Sequence, residues 1–141
     1  MKNIIPYLTF NGKAEEALNH YKSILGGEIV SLNRFSEAPP MDGVEMTEES
    51  LNLVMNAVYV INEYTTIMAS DGHPAFDEIP FGQNFSLAIT AESKEEVDTF
   101  FAGLSEGGII TMPLEETFWN AYFGMCEDKF GVNWMINYDL E

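Results

Sequence analysis

The segment TTIMASDGHP, residues 65–74, ends a short apolar run with side chains that can do chemistry. Asp71 offers a carboxylate and His73 an imidazole, which can serve as a general base near neutral pH. The same residue types also favour a chain reversal for backbone reasons alone. The segment therefore predicts either ligand contacts by Asp71 and His73 at the end of a strand or a turn without chemistry.

The segment TFWNAYFG, residues 117–124, is the strongest candidate for ligand binding. Phe118, Trp119 and Tyr122 offer large planar surfaces, and indole and phenol groups can orient a ligand by hydrogen bonding. Such surfaces beside a cleft bind small organic molecules. The segment predicts a ligand-binding loop-to-strand transition, with packing at an internal interface or a dimer contact as the alternative.

The remaining reactive side chains predict no further catalytic group. Cys126 is the single cysteine, so an internal disulfide or a thiolate zinc site is excluded, and we expect a buried strand residue. His20 is expected on a helix surface. Arg34, the single arginine, predicts a surface ion pair, with an anionic ligand as the alternative.

An internal repeat with a spacing of about 80 residues organises the chain. The segment KAEEALNHYKSILGGEIV, from Lys13, is similar to SKEEVDTFFAGLSEGGII, from Ser93. Apolar residues at three- and four-residue spacing predict a helix in each copy. The glycine pairs 26–27 and 107–108 predict where the helices end.

Strands are predicted around both helices, because branched and aromatic residues recur in short runs bounded by turn residues. One strand precedes each helix, IPYLTF from Ile5 and NFSLAIT from Asn84, and three follow it. The predicted fold is α+β, one domain with two βαβββ modules at about residues 3–72 and 84–139. We expect the modules to pair their mixed sheets around a shared cleft, because each exposes an apolar sheet face.

The charge of the chain excludes several classes of partner. A net charge of −17, from 23 acidic and six basic residues, argues against binding to nucleic acid or to an anionic membrane. No stretch approaches the roughly 20 apolar residues of a membrane span, and the first residues do not form a signal peptide. We therefore expect a cytoplasmic protein.

Paired βαβββ modules of this length resemble the vicinal oxygen chelate superfamily, which includes glyoxalases, extradiol dioxygenases and bleomycin-resistance proteins. Three strings are similar to its PhnB-like branch: PYLTFNGKAEEALNHYKSILGGE, MASDG and MPLEETFWNAYFGMCEDKFGVNWMIN. The resemblance spans nearly the whole chain, from Ile5 to Asn137, and implies a homodimer. Relatives carry a ubiquinone methyltransferase label, but the glycine pairs here end helices and do not form a nucleotide-binding turn.

Metal enzymes of this superfamily take ligands from the first and last strands of each module. The resemblance places these positions at Pro6, Met68, Asn84 and Met135. Proline has no side-chain donor, thioethers suit copper(I), and a lone amide binds divalent cations poorly. The usual octahedral site is therefore not expected. A divalent metal held by relocated ligands such as Asp71, His73 and Asn137 is the alternative.

The sequence thus predicts a protein that binds a small organic molecule in an aromatic-lined cleft, without a cofactor. The predicted ligand contacts are Trp119, Tyr122, Phe118, Asp71, His73, Met68, Asn84 and Met135. One alternative is a metal-dependent lyase, isomerase or dioxygenase with relocated ligands, and another is a scaffold that binds no ligand. The residues leave open whether the protein is an enzyme.

Overall fold

The computed structural model describes residues 1–141, which divide into two compact units, Met1–Pro80 and Phe81–Glu141. The first unit holds one four-stranded sheet in the order β1-β4-β3-β2. Strands β1 and β4 are parallel, and the other neighbours are antiparallel. Its elements are β1 (Tyr7–Phe10), α1 (Ala14–Leu25), β2 (Glu28–Arg34), α2 (Glu48–Leu51), β3 (Val54–Asn62) and β4 (Thr65–Asp71).

The second unit repeats this arrangement with the strand order β5-β8-β7-β6. Here β5 and β8 are the parallel pair. Its elements are β5 (Leu87–Thr90), α3 (Lys94–Ser105), β6 (Ile109–Glu116), β7 (Ala121–Glu127) and β8 (Asn133–Asp139). The predicted α+β class and the predicted βαβββ order are confirmed in both units.

Each helix covers one face of its own sheet. In the first unit the α1 residues Leu18 and Tyr21 are fully buried, and the Tyr59 hydroxyl of β3 donates to the carbonyl of Gly26 at 2.6 Å, just after α1. In the second unit α3 packs on β7 and β8 and buries Val97 and Leu104. Burying an apolar side chain of this kind stabilises the fold by about 1.5–3 kcal/mol. The hydrophobic core of each unit therefore lies between its helix and its sheet.

The first strand of each unit begins later than predicted, β1 by two residues and β5 by three. Strand β1 begins at Tyr7, because Pro6 has no N–H to donate to the ladder. Strand β5 begins at Leu87, which pairs with Trp134 close to the start of β8, so earlier residues have no partner strand. Asn84 therefore lies outside β5 and is exposed.

The acidic segment PPMDGVEMTEES, predicted as a loop, contains the short helix α2. The Thr47 hydroxyl caps this helix by accepting a hydrogen bond from the Ser50 backbone N–H at 3.0 Å. A Thr N-cap followed by Glu residues is a helix start, and the proline and glycine nearby hid this signal. None of the helices has the length and apolar character needed to cross a membrane.

Candidate functional site

The face of each sheet opposite its helix, the open face, carries side chains from all four strands. In the first unit one row across the strands begins with Thr9 and Ser70, which are paired in the β1–β4 register. It continues to Asn56 and Asn33, whose side chains are joined by a hydrogen bond of 2.9 Å. The adjacent row contains Tyr7, Met68, Val58 and Ser31. A polar row therefore lies beside a mainly apolar one.

The open face of the second unit has the same two rows with different residues. The polar row contains Thr90 and Asn137, continues to Phe123 and ends at Glu115. The adjacent row runs from Ala88 through Met135 and Met125 to Met112. Met68 and Met135 thus occupy equivalent places in their sheets, each one residue before a fully buried residue that faces the helix.

An aromatic cluster stands at one end of the second open face. The Trp119 ring lies 5.9 Å from the Phe123 ring and 4.9 Å from the Phe118 ring, in both cases edge to face. Phe123 is buried, whereas Trp119 is 51% exposed and Phe118 is 95% exposed. Such exposed aromatic surface beside polar groups can bind a planar molecule.

A tight hairpin loop between β6 and β7 holds this cluster. The Thr117 backbone N–H donates to the Ala121 carbonyl at 2.8 Å, and the Asn120 N–H donates to the Thr117 carbonyl at 3.2 Å. Asn120 adopts a left-handed conformation, with φ of 62°, which Asn tolerates better than most residues. This turn sets Trp119 beside the start of β7, within reach of Phe123.

The structure separates Tyr122 from the other aromatic residues predicted with it. Side chains alternate along a strand, so Tyr122 points to the face of the sheet opposite that of Phe123. Its hydroxyl donates to the Asp98 carboxylate of α3 at 2.6 Å, which raises the pKa of the phenol. Tyr122 therefore lies on the helix side, and Phe123 takes its place in the aromatic cluster.

Asp71 has a structural role in the first unit. Its Oδ1 accepts hydrogen bonds from the backbone N–H groups of Gly12 and Ala14, and its Oδ2 accepts one from Val54, all at 2.9 Å. The residue is 3% exposed and faces the helix side of the sheet. These bonds join the end of β4 to the start of α1 and of β3, so the carboxylate positions the chain and does not face the open side.

His73 lies beyond β4, between two aromatic rings. Its ring is 5.1 Å from that of Phe35 and 5.1 Å from that of Phe76. Its Nδ1 accepts a hydrogen bond from the Ala75 backbone N–H at 3.1 Å, which places the proton of the neutral ring on Nε2. His73 and Asp71 therefore do not form one catalytic pair, since Asp71 is committed to backbone N–H groups.

The residues at the family's metal positions do not fit its octahedral site. The Met68 backbone N–H donates to the Pro6 carbonyl at 3.0 Å, and the β5 residue paired with Met135 is Ala88 rather than Asn84. Proline, alanine and two thioethers offer no set of hard oxygen or nitrogen donors for a divalent cation. No three His, Cys, Asp or Glu side chains come together in a group suited to a metal ion.

The predicted ion pair of Arg34 is confirmed. Its guanidinium holds both carboxylate oxygens of Glu15 at 2.9 Å and also donates to the Asn52 carbonyl at 2.8 Å. This hydrogen bonding raises the pKa of Arg34 and lowers the pKa of Glu15. The single arginine is therefore engaged within the first unit by a bidentate pair.

We expect Cys126 to resist thiol reagents in the native protein. The side chain is 1% exposed in β7, and burial together with the Asp128 carboxylate raises the pKa of the thiol to about 11. Because the thiolate is the reactive form, reaction with dithionitrobenzoate at pH 8 should require unfolding. A stopped-flow measurement with and without denaturant checks this, and rapid stoichiometric reaction of the native protein would contradict it.

Three residues of the second open face, Phe123, Met112 and Met125, are not among the ligand contacts predicted from the sequence. Phe123 was grouped with the aromatic segment, but the choice between Tyr122 and Phe123 requires the strand register. Met112 and Met125 join Met135 only through pairing across β6, β7 and β8. The sequence does indicate that Phe123 and Met125 belong together. They are two residues apart in β7, and side chains alternate along a strand, so both must lie on the same face.

Comparisons with known proteins match the chain over nearly its whole length. The model of a family described as 3-demethylubiquinone-9 3-methyltransferase matches residues 2–137. The protein YjdN of Escherichia coli K12 is 34% identical over 137 residues, which cover 94% of this chain and 92% of YjdN. The relationship therefore covers both modules.

Comparison with solved structures also finds similarity over nearly the whole chain. Protein PA1353 from Pseudomonas aeruginosa is 38% identical with a TM-score of 0.85 and covers 99% of this chain and 98% of its own. The PhnB protein from Bacillus cereus is 34% identical with a TM-score of 0.81, at 97% and 99% coverage. A glyoxalase/bleomycin resistance/dioxygenase domain from Frankia, 16% identical with a TM-score of 0.65 at 99% and 98% coverage, shares the fold.

Proposed function

Because this chain belongs to the PhnB-like family, which has the glyoxalase/bleomycin-resistance fold, we propose that it binds a small planar organic molecule on the open face of its second sheet. The observation that carries this proposal is the half-exposed Trp119 held edge to face against Phe123. A ligand ring stacked on the indole would extend an aromatic pair that the hairpin loop already orders. Such preorganisation lowers the entropic cost of binding.

The polar row beside the cluster favours a neutral ligand or one that donates hydrogen bonds. The Asn137 side-chain N–H donates to the Asp139 carboxylate at 3.1 Å, so its carbonyl oxygen is the group that can accept from a ligand. Glu115, paired with Phe123 across β6 and β7, adds a carboxylate to the same row. An anionic ligand would be repelled by this carboxylate.

The methionine row suits the apolar part of such a ligand. Met135, Met125 and Met112 lie on neighbouring strands of the open face and are each partly exposed. Thioether side chains are flexible and polarisable, so they adapt to ligands of different shape and make favourable contacts with aromatic rings. The ligand contacts that we propose are therefore Trp119, Phe118, Phe123, Asn137 and Met135.

Binding is a better proposal than methyl transfer, although the family description names a methyltransferase. Enzymes that use nucleotide-type cofactors on doubly wound sheets bind them where a glycine-rich turn leads from a strand into a helix. Here Gly26 and Gly107 follow the helices α1 and α3 instead. The alternative of a metal-dependent enzyme with relocated ligands lacks support, because no three His, Cys, Asp or Glu side chains come together as a ligand set, so we do not propose it.

The proposal predicts that replacing Trp119 weakens binding of planar compounds. The probes are quinoline, indole, coumarin and 2-naphthol, and binding is followed by methyl and amide NMR titration. Removing a stacked indole should weaken binding of any compound that binds by about tenfold, whereas Trp119→Phe should retain most of the affinity. Both variants alter an exposed residue, so we expect them to fold.

Tyr122→Phe is the matched control, because Tyr122 is adjacent to Phe123 on the same strand but faces the helix. This variant should bind the probes as the unmodified protein does. The proposal fails if no probe shifts the resonances of Trp119 and Phe123 at millimolar concentration. It also fails if Trp119→Ala and Tyr122→Phe reduce affinity equally.

A further inference from the structure

A separate pocket in the first unit has a volume of about 380 Å³, and none of its lining residues belongs to either open face. Pockets that bind small molecules usually measure about 300–1,000 Å³, so this one could hold a compact ligand. It forms between the segment after β2 and His73, which lies two residues beyond the end of β4. Its lining includes Phe35, Pro39, Met41, Met46, Leu51 and His73.

The lining of this pocket is mostly apolar and partly aromatic. Met41 and Met46 supply thioethers, and Phe35 meets His73 edge to face at a centroid distance of 5.1 Å. The α2 helix brings Leu51 to the pocket, and the Thr47 cap begins that helix. Flexible methionines beside an ordered aromatic pair allow the pocket to adapt to an apolar body of variable shape.

The segment that forms most of the pocket carries acidic side chains and no Lys or Arg. The segment from Phe35 to Leu51 contains five carboxylate residues and no lysine or arginine, namely Glu37, Asp42, Glu45, Glu48 and Glu49. All five are exposed, and the single arginine just before the segment is paired with Glu15. At physiological salt, charges interact over about 8 Å, so this segment attracts cations and repels anions near the pocket.

Aromatic rings add a second reason for a positive ligand. A cation within about 6 Å of a ring centroid is attracted by the negative face of the ring, and quaternary ammonium groups are bound in this way. Phe35 provides such a ring in the lining. We infer that the pocket binds a hydrophobic organic cation, a quaternary ammonium or protonated amine carried on an apolar body. This inference goes beyond the proposed function and does not rest on it.

Three probes that share a phenyl ring with a tert-butyl-shaped group test the effect of the ligand's charge. Phenyltrimethylammonium is the cation, tert-butylbenzene is its neutral counterpart, and 4-tert-butylbenzoate is the anion. We expect the cation to bind about tenfold more tightly than the neutral probe at low salt, and the anion to bind most weakly. Raising the salt should reduce the preference for the cation. Binding of the neutral probe as tight as that of the cation would overturn the inference.

The location of binding is read from the unmodified protein. The cation should shift the methyl resonances of Met41 and Met46 and the ring resonances of His73 and Phe35. Shifts confined to other residues, including those of the open faces, would overturn the inference. This readout requires no variant to fold, and it separates this site from the one that includes Trp119.

Variants then test the pocket and its charge. Met46→Trp and Leu51→Trp should each fill the pocket and abolish binding of phenyltrimethylammonium, with folding confirmed by the amide spectrum. The double change Asp42→Asn and Glu45→Gln should lower the preference for the cation severalfold. Trp119→Ala should leave the cation-induced shifts of Met41 and Met46 unchanged, because Trp119 does not line the pocket. Normal cation binding by a folded filling variant would overturn the inference.

Discussion

Asp71→Ala should lower the free energy of unfolding by about 3–5 kcal/mol. The carboxylate accepts hydrogen bonds from the backbone N–H groups of Gly12, Ala14 and Val54. Leaving a buried donor without a partner costs about 1–3 kcal/mol, and three donors lose theirs together. Since domains of this size are stable by about 5–15 kcal/mol, this change removes a large part of the total. Urea denaturation followed by circular dichroism measures it.

Two variants define what the Asp71 result means. Asp71→Asn keeps one acceptor oxygen but presents an NH₂ group to a backbone donor, so it should fall between Asp71→Ala and the unmodified protein. Asp77→Ala changes an exposed carboxylate and should alter stability by about 0.5 kcal/mol or less. Equal stability of Asp71→Ala and Asp77→Ala would show that the three hydrogen bonds are not formed.

Gly27→Ala should be far more destabilising than Gly26→Ala, although both glycines follow α1. Both have positive φ, 80° at Gly26 and 83° at Gly27, which costs about 1–2 kcal/mol for another residue. A Cβ at Gly26 meets nothing, whereas one at Gly27 collides with the backbone of Val60 and Ile61 in β3. We therefore expect a loss of about 1 kcal/mol at Gly26 and about 3 kcal/mol or more at Gly27.

The repeat extends this prediction to the second unit. A Cβ at Gly108 collides with the backbone of Glu127 and Asp128, whereas one at Gly107 meets the flexible side chain of Lys129. Thermal unfolding should rank the second glycine of each pair as the more sensitive position. If Gly27→Ala is too unstable to purify, its soluble yield relative to Gly26→Ala gives the same ranking. Equal losses within each pair would contradict the close approach of the backbones.

The architecture could be predicted from the sequence because the same βαβββ pattern occurs in both copies of the repeat, so each copy supports the assignment of the other. The helices ended at their glycine pairs, and Met68 and Met135 lie at equivalent register positions, as the repeat indicated. The start of β5 was missed because it depends on where the partner strand β8 begins. Such long-range pairing leaves no mark in the local pattern of NFSLAIT.

The candidate site was harder to predict for two physical reasons. Tyr122 and Phe123 are consecutive aromatic residues, so they lie on opposite faces of β7. Because both are aromatic, the pattern of apolar and polar residues in TFWNAYFG does not show which of them faces the helix. The prediction of Asp71 as a ligand contact depends on the expectation that this strand end lies near the mouth of the cleft. Its backbone partners at Gly12 and Val54 are distant in sequence, and only the fold brings them to it.

The proposed function rests on a ligand surface that includes Trp119, Phe123 and Met135. The most direct test is an NMR titration of protein labelled at the methionine methyl groups, using quinoline, indole, coumarin and 2-naphthol. Eight methionines report on the chain, and Met112, Met125 and Met135 lie in one row beside the aromatic cluster. We predict saturable shifts of these three resonances, and an apparent affinity that falls about tenfold in Trp119→Ala. Shifts that spare all three methionines, or that persist unchanged in Trp119→Ala, would contradict the proposal.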